Sequence, residues 1–471
     1  MLVPLVTARL VAAVEAPAAV GMYPLAVLGV GVAVVLGMIL ALRLNAFFAL
    51  IAAALVVSLL SPGAIDDKAV RVAEAFGATA GKIGISIAMA AVIGAAMTAS
   101  GAADRIVRAF LRLLGEPRAG AAMAASGFVL SIPVFFDTVF YLLCPLARSM
   151  HRRTGRHYLK YLLALGAGGT ATHTLVPPTP GPLAAGETLG VDVGMMMLVG
   201  LAVSVPATIA GMAFAAWMDR RLVLATPPEL DDEHVEAPDS ALPGLAISLA
   251  PIVLPIVLIA GHAVASQTAL AETHRTVVGW LAFAGNPNIA LMAAAAISLL
   301  TYVAQARPAR QVVSLLVEES LAGAGVIILI TAAGGAFGMM LKEAGVGDSV
   351  DRLFGDRDVA GYGILLLAFA IASMMKLSQG STTVAMITAS SMIAAMVGER
   401  SLGFHHAYLT SAVGCGAMVS SWMNDSGFWV FCRMGGLNER EGLKTWTPLT
   451  SLMGFTGMIA TMALSTLFPL V

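Results

Sequence analysis

Charge is scarce in this chain. Asp, Glu, Lys and Arg make up 12 % of its 471 residues and nearly cancel, at a formal −1, where soluble domains carry about 25 %. That balance excludes a nucleic-acid footprint. Cysteine is scarcer still. Cys144, Cys415 and Cys432 sit in or beside apolar runs, show no disulfide or metal-site spacing, and read as small core residues. Gly166, Gly168 and Gly169 follow no strand, so they form no dinucleotide fingerprint. No cofactor or metal is expected. What fills the chain is apolar: 58 % hydrophobic residues and a mean hydropathy of +0.87. These values predict an all-α polytopic membrane protein with the lipid bilayer as its main partner.

A helix needs about 20 apolar residues to cross the hydrocarbon core. Candidate spans are 22–42, 44–61, 82–101, 193–217, 244–264, 277–304, 321–344 and 448–470, with residues 1–21 read as a short tail. Polar breaks interrupt 157–190 and 403–430, and two long segments, 119–147 and 360–398, are polar at their centres. Arg105, Arg108, Arg112 and Arg118 precede 119–147, and Arg148, Arg152, Arg153, Arg156 and Lys160 come after it. The positive-inside rule puts both clusters in the cytoplasm. Segment 119–147 therefore reads as a re-entrant hairpin, 360–398 as its counterpart, and both chain ends face outward. Residues 218–243, rich in Pro and acid, read as a cytoplasmic linker between two transporter halves, 22–217 and 244–471.

The halves resemble each other at an offset of 244 positions: Gly94 with Gly338, Gly101 with Gly345, Asp104 with Asp348, Arg108 with Arg352, Phe110 with Phe354, Thr138 with Thr382. Each reads span, glycine, short amphipathic helix, hairpin, broken span, final span. In 103–114, Ile106, Val107, Phe110, Leu111 and Leu114 share a face opposite Asp104, Arg105, Arg108 and Arg112, the pattern of a helix lying along a membrane surface. An odd number of crossings separates the copies, so the expected fold is two inverted repeats, each with one re-entrant hairpin and one broken transmembrane helix.

The chemistry gathers at four breaks: Ser131 to Thr138, Thr172 to Pro182, Lys376 to Thr383 and Ser420 to Gly427. Bilayers tolerate such breaks only where they line a wet cavity or lie inside protein, and matching breaks in two halves point to a transporter's binding site. Asp137 stands among Ile132, Val134, Phe135, Phe136, Val139 and Phe140. An acid there needs a partner, a cavity or a proton, and Asp425, beside Asn424 and Ser426, poses the same question. Both are candidates for proton coupling, as is His173, flanked by Thr172 and Thr174. Lys376 has two readings: a partner for a substrate carboxylate, or an ion pair with Asp425. In S-Q-G-S-T-T, Gly380 permits a tight reversal. Ser381, Thr382 and Thr383 can cap the next half-helix, whose N–H groups then face an anion. The expected substrate site comprises Ser131, Thr172, His173, Thr174, Lys376, Ser378, Gln379, Gly380, Ser381, Thr382, Asn424 and Ser426. The G-V-G-D of Gly345 to Asp348 suggests an intramembrane protease only superficially, since the second repeat copy explains it. No enzyme is expected.

P-V-F-F-D-T-V-F-Y-L-L-C-P, H-T-L-V-P-P-T-P-G-P, G-S-T-T-V-A, N-D-S-G-F-W-V-F and L-N-E-R-E-G-L-K-T-W resemble the gluconate:proton symporter (gluconate permease) family, from roughly Gly81 to the C-terminus. The resemblance implies proton-coupled uptake of a small organic acid across a bacterial inner membrane. The wider ion-transporter superfamily adds hairpins that meet broken helices at the midplane, and often a homodimer. Three positions depart from the family's usual residues: Asp137 for Glu, Thr179 for His, and Lys376 for Arg. Lys lacks the bidentate guanidinium fork, which widens the expectation from gluconate to D-serine, glycerate or a hexuronate. Sodium coupling near Asn424 is the alternative mechanism.

Overall fold

The computed structural model describes residues 23–42, 44–222, 241–266, 275–346, 349, 360–398 and 402–470. The tail before residue 22, most of the linker (223–240), and Asp348, Arg352 and Phe354 of the repeat lie outside the described residues. All regular elements among the described residues are helices. In chain order they are α1 (Tyr23–Leu36), α2 (Ala46–Leu60), α3 (Asp67–Ala99), α4 (Ala102–Leu114), α5 (Ala119–Leu130), α6 (Phe136–Thr154), α7 (Tyr158–Leu175), α8 (Pro180–Thr188) and α9 (Val193–Asp219). The second half adds α10 (Leu245–Ser266), α11 (Arg275–Ala284), α12 (Pro287–Ala306), α13 (Arg310–Glu343), α14 (Ala360–Gln379), α15 (Thr382–Val397), α16 (His406–Met418), α17 (Ser426–Gly435) and α18 (Glu439–Leu467). Six of them, α3, α9, α10, α12, α13 and α18, are long and apolar enough to cross a membrane.

Two expectations about spans change. Segment 277–304 is two helices, because Asn286 caps the second by accepting from Asn288 N at 3.0 Å and Pro287 cannot continue the first. Helices α3, α13 and α18 also start well before their apolar windows, at Asp67, Arg310 and Glu439. Apolar runs mark the hydrocarbon crossing; helical propensity carries the charged turns beyond it. At the start of α18, Asn438 accepts from Glu441 N, and the Glu441 side chain returns the bond to Asn438 N, both at 2.9 Å. This capping box supports the helix that delivers Trp446 to the interior. Asn438→Ala is expected to cost about 1 kcal/mol, seen as a small drop in the thermal unfolding midpoint of solubilised protein.

Each break has a local cause. Pro133 ends α5, Pro177 and Pro178 end α7, and Gly380 ends α14 at a φ of +80°. Asp425 then starts α17 as its N-cap. Shifting the first set of elements by 244 residues lays α2, α3 and α5–α9 on α12, α13 and α14–α18, with ends a few residues apart. The partners repeat too. α3 packs on α12 as α13 packs on α2, and α6 on α17 as α15 packs on α8. The equivalent long helices run antiparallel. Arg71 near the start of α3 pairs with Glu343 at the end of α13 at 3.1 Å, while Gly84 faces Ile328. Likewise Gly211 of α9 meets Met453 and Gly457 of α18 meets Val203. Close backbone crossings hold the hairpins to the broken helices. A Cβ on Gly168 would lie 1.9 Å from Ala124 O, and one on Gly416 2.3 Å from Phe369 O. Small residues at such crossings let membrane helices pack tightly.

Candidate functional site

The four breaks converge. The starts of α6, α15 and α17 and the last turns of α7 enclose a cavity of about 300 Å³. That is at the small end of the range for ligand pockets, about 300–1,000 Å³. Asp137, Thr170, His173, Thr174, Thr382, Thr383, Ser421, Ser426 and Thr450 supply its polar lining, and Phe135, Ile327, Ile330 and Trp446 its apolar walls.

A charged network forms one side. Lys376 is 1 % exposed. Its Nζ donates to Asp425 Oδ2 at 2.7 Å, to Thr382 Oγ1 at 2.9 Å and to the Gly380 carbonyl. An ammonium has three protons, and all three are used. Of the two readings of Lys376, the structure thus shows the ion pair. Asp425 is held from every direction: Gly427 N donates to its Oδ1 at 3.1 Å, and Ser421 Oγ donates to Oδ2. Ser421 Oγ in turn accepts from Trp446 Nε1 at 2.7 Å. Trp446 is fixed by stacking on Phe431, with centroids 4.8 Å apart.

The other side is under-satisfied. Asp137 lies in the first turn of α6, where the helix dipole favours an anion. It makes no hydrogen bond or ion pair with any described residue. Neither His173 Nδ1 nor Thr170 Oγ1 has a hydrogen-bond partner among the described residues. Ser381 caps α15 by accepting from Val384 N at 3.3 Å, and Ala385 N donates to the Ser381 carbonyl. The N–H groups of Thr382 and Thr383 have no acceptor among the described residues. Three half-helix N-termini and a carboxyl without a partner among the described residues therefore share one small space.

Of the expected residues, His173, Thr174, Lys376, Ser381, Thr382, Ser426, Asp137 and Asp425 line the cavity. Others lie outside its lining. Thr172 Oγ1 donates to Phe128 O at 2.8 Å, away from the space. Ser131 is fully buried, its Oγ without a partner among the described residues, against Gly169. Ser378 Oγ donates to Met374 O, and Asn424 Nδ2 donates to Leu377 O at 2.8 Å. Gly380 contributes backbone next to Asn424. The Gln379 side chain lies outside the described residues. Thr170, Ser421, Trp446 and Thr450 are absent from the expected substrate site, and Thr383 is expected only as a helix cap. Helical spacing flags two of them: Thr170 lies three and four residues before His173 and Thr174, and Thr450 four after Trp446; Ser421 lies within the break that Asp425 closes.

Interrupted helices that meet in pairs around a small polar cavity, inside a multi-pass helical membrane protein, make up a membrane transporter. The family described as GntP family permease matches residues 23–467. A gluconate permease of Pseudomonas aeruginosa is 32 % identical over 90 % of this chain and 93 % of its own. A low-affinity gluconate transporter of Escherichia coli K12 is 30 % identical, over 92 % and 96 %. Among solved structures, MtrF of Neisseria gonorrhoeae aligns with a TM-score of 0.66 over 88 % of this chain and 93 % of its own, at 14 % identity, a likeness of fold alone. The chain belongs to the GntP permease family, and is a multi-pass protein of a bacterial inner membrane and not an enzyme.

Proposed function

We propose that this permease takes up gluconate or a closely related small hydroxy carboxylate together with a proton. The observation that carries the reading is the cavity itself: uncommitted half-helix N–H groups and hydroxyls beside a carboxyl that has no partner among the described residues. Helix N-termini bind carboxylate. The N–H groups of Thr382 and Thr383 are the proposed carboxylate site, since Lys376 has no proton left to offer. Thr170, Thr174, Ser426 and Thr450 would meet the substrate's hydroxyls, with His173 among them. Lys376 and Asp425 would then hold the hairpin tip against the broken helix. Asp137 is the proposed proton carrier, because loading it costs no existing bond.

The antiparallel course of the equivalent long helices supports an inverted repeat, with a pseudo-two-fold axis in the membrane plane. On that reading α5–α6 enters from the cytoplasm and α14–α15 from the opposite face. Sodium coupling has less support: Asn424, its expected anchor, is turned to the Leu377 carbonyl.

Labelled gluconate uptake into proteoliposomes under an inward proton gradient tests this. Uptake is expected to collapse with protonophore and to ignore sodium; sodium-driven uptake at fixed pH would overturn the proton assignment. Asp137→Asn is expected to lose accumulation against a gradient while counterflow exchange persists. If the variant still concentrates substrate, Asp137 does not carry the proton.

A further inference from the structure

The central cavity has two unlike walls. α13 supplies Ile327 and Ile330, neighbours on one helix face, and α7 supplies Thr170, His173 and Thr174 from its last turns. The walls come from different groups of helices: α13 packs chiefly on α3 and α2, and α7 chiefly on α5 and α9.

The α13 wall stands beside the start of α15. Gly334 faces Ile387, where a Cβ would lie 2.1 Å from Cγ2, and one turn further along both helices Gly338 faces Ser391. Ser391 Oγ donates to the Gly334 carbonyl at 2.8 Å. The two helices therefore run side by side in the same direction. One turn earlier, that register brings Ile330 to Thr383, and both line the cavity. α13 offers no hydroxyl at this level, because Thr331 is buried and its Oγ1 donates to the Ile327 carbonyl at 2.8 Å. The α7 wall is the opposite in kind: Thr170 Oγ1 and His173 Nδ1 have no hydrogen-bond partner among the described residues.

A carboxylate on the Thr382 and Thr383 N–H groups would put the next carbon, C2, between these walls. Two bonds of C2 go to the carboxylate and to C3, which leads into the cavity. The other two hold a hydrogen and a hydroxyl, to be divided between an isoleucine face and a face of hydroxyls and imidazole. A hydroxyl pressed on isoleucine gives up its hydrogen bonds to water and gains none. In the C2 epimer the hydrogen and the hydroxyl exchange places.

We propose that Ile327 and Ile330 make this permease selective for the configuration at C2 of its substrate, by refusing a hydroxyl on the α13 side. The substrate class rests on the gluconate reading above; the unlike walls do not.

Gluconate and its C2 epimer mannonate are the probes. In proteoliposomes, unlabelled mannonate is expected to compete with labelled gluconate at least about tenfold less well than unlabelled gluconate does, the order by which apolar pockets reject an added hydroxyl. Ile330→Thr and Ile330→Val give side chains of one shape that differ by a hydroxyl. The valine variant is expected to keep the ratio, and the threonine variant to bring it within about threefold through tighter mannonate. Equal ratios in the two variants, or equal competition by the epimers in the unsubstituted protein, overturn the proposal. Ile327→Thr against Ile327→Val makes the same comparison if a variant at Ile330 does not fold. If the unsubstituted protein takes up no gluconate, the functional reading fails, and D- and L-glycerate judge the walls instead. A rise in the thermal unfolding midpoint with one enantiomer alone is then expected; equal rises, or none with either, overturn the proposal.

Discussion

Gly380→Ala is expected to abolish transport and to lower the thermal unfolding midpoint sharply, while Gly363→Ala on the same helix leaves both unchanged. The contrast isolates geometry from composition. Gly363 has nothing within 4 Å of where a Cβ would stand. Gly380 has a φ of +80°, and its Cβ would lie 2.0 Å from Asn424 O and 2.5 Å from Asn424 C. The left-handed backbone alone costs a non-glycine residue about 1–2 kcal/mol. The overlap is worse, because the obstacle is backbone and cannot turn aside. The hairpin tip would have to withdraw from the break, and the Gly380 carbonyl would leave Lys376. Uptake and circular-dichroism melting of both variants check this, and normal transport by Gly380→Ala would show that the tip does not need its contact with Asn424.

Lys376→Met and Asp425→Leu are each expected to destabilise the protein by about 3–5 kcal/mol, because each strands one buried charge. The double variant is expected to lose far less than the sum of the two. Lys376 and Asp425 share one bond at 2.7 Å and are both largely buried, so removing both leaves no stranded ion. A double-mutant cycle on unfolding midpoints measures the coupling. Additive losses would mean that the two charges do not depend on one another. All three variants are expected to lose uptake, since Thr382 and the tip carbonyl depend on the same ammonium.

The positions of the breaks were legible in the sequence because membrane helices advertise their interruptions. Pro133, Pro177 and Pro178 cannot donate in the ladder, Gly380 reverses the chain, and Asp425 can cap the half-helix that begins at Ser426. The two-fold likeness was legible in the order of elements, which the helix boundaries repeat. Facing was harder. Thr172, His173 and Thr174 are neighbours in sequence, but a helix turns about 100° per residue, so Thr172 points at Phe128 while its neighbours point at the cavity. Lys376 illustrates a different limit: the sequence offered a substrate carboxylate and Asp425 as partners, and only the structure chose Asp425. Trp446 and Thr450 look like ordinary residues at a membrane edge, and only the fold brings α18 against Ser421 in the fourth break. The division of 277–304 shows that hydropathy counts crossings while caps and prolines count helices.

The half-helices exchange partners between the two halves of the chain. α17 is clasped lengthwise by α6: its start lies beside Phe136, and at its far end Arg148 of α6 and Tyr158 donate to the Met434 and Gly435 carbonyls. α8 and α15 make the reciprocal clasp. Each clasp joins a piece of the first half to a piece of the second. A seam drawn at the midpoint of the sequence would tear both clasps, so the packing unit around each half-helix pair draws on both halves of the chain.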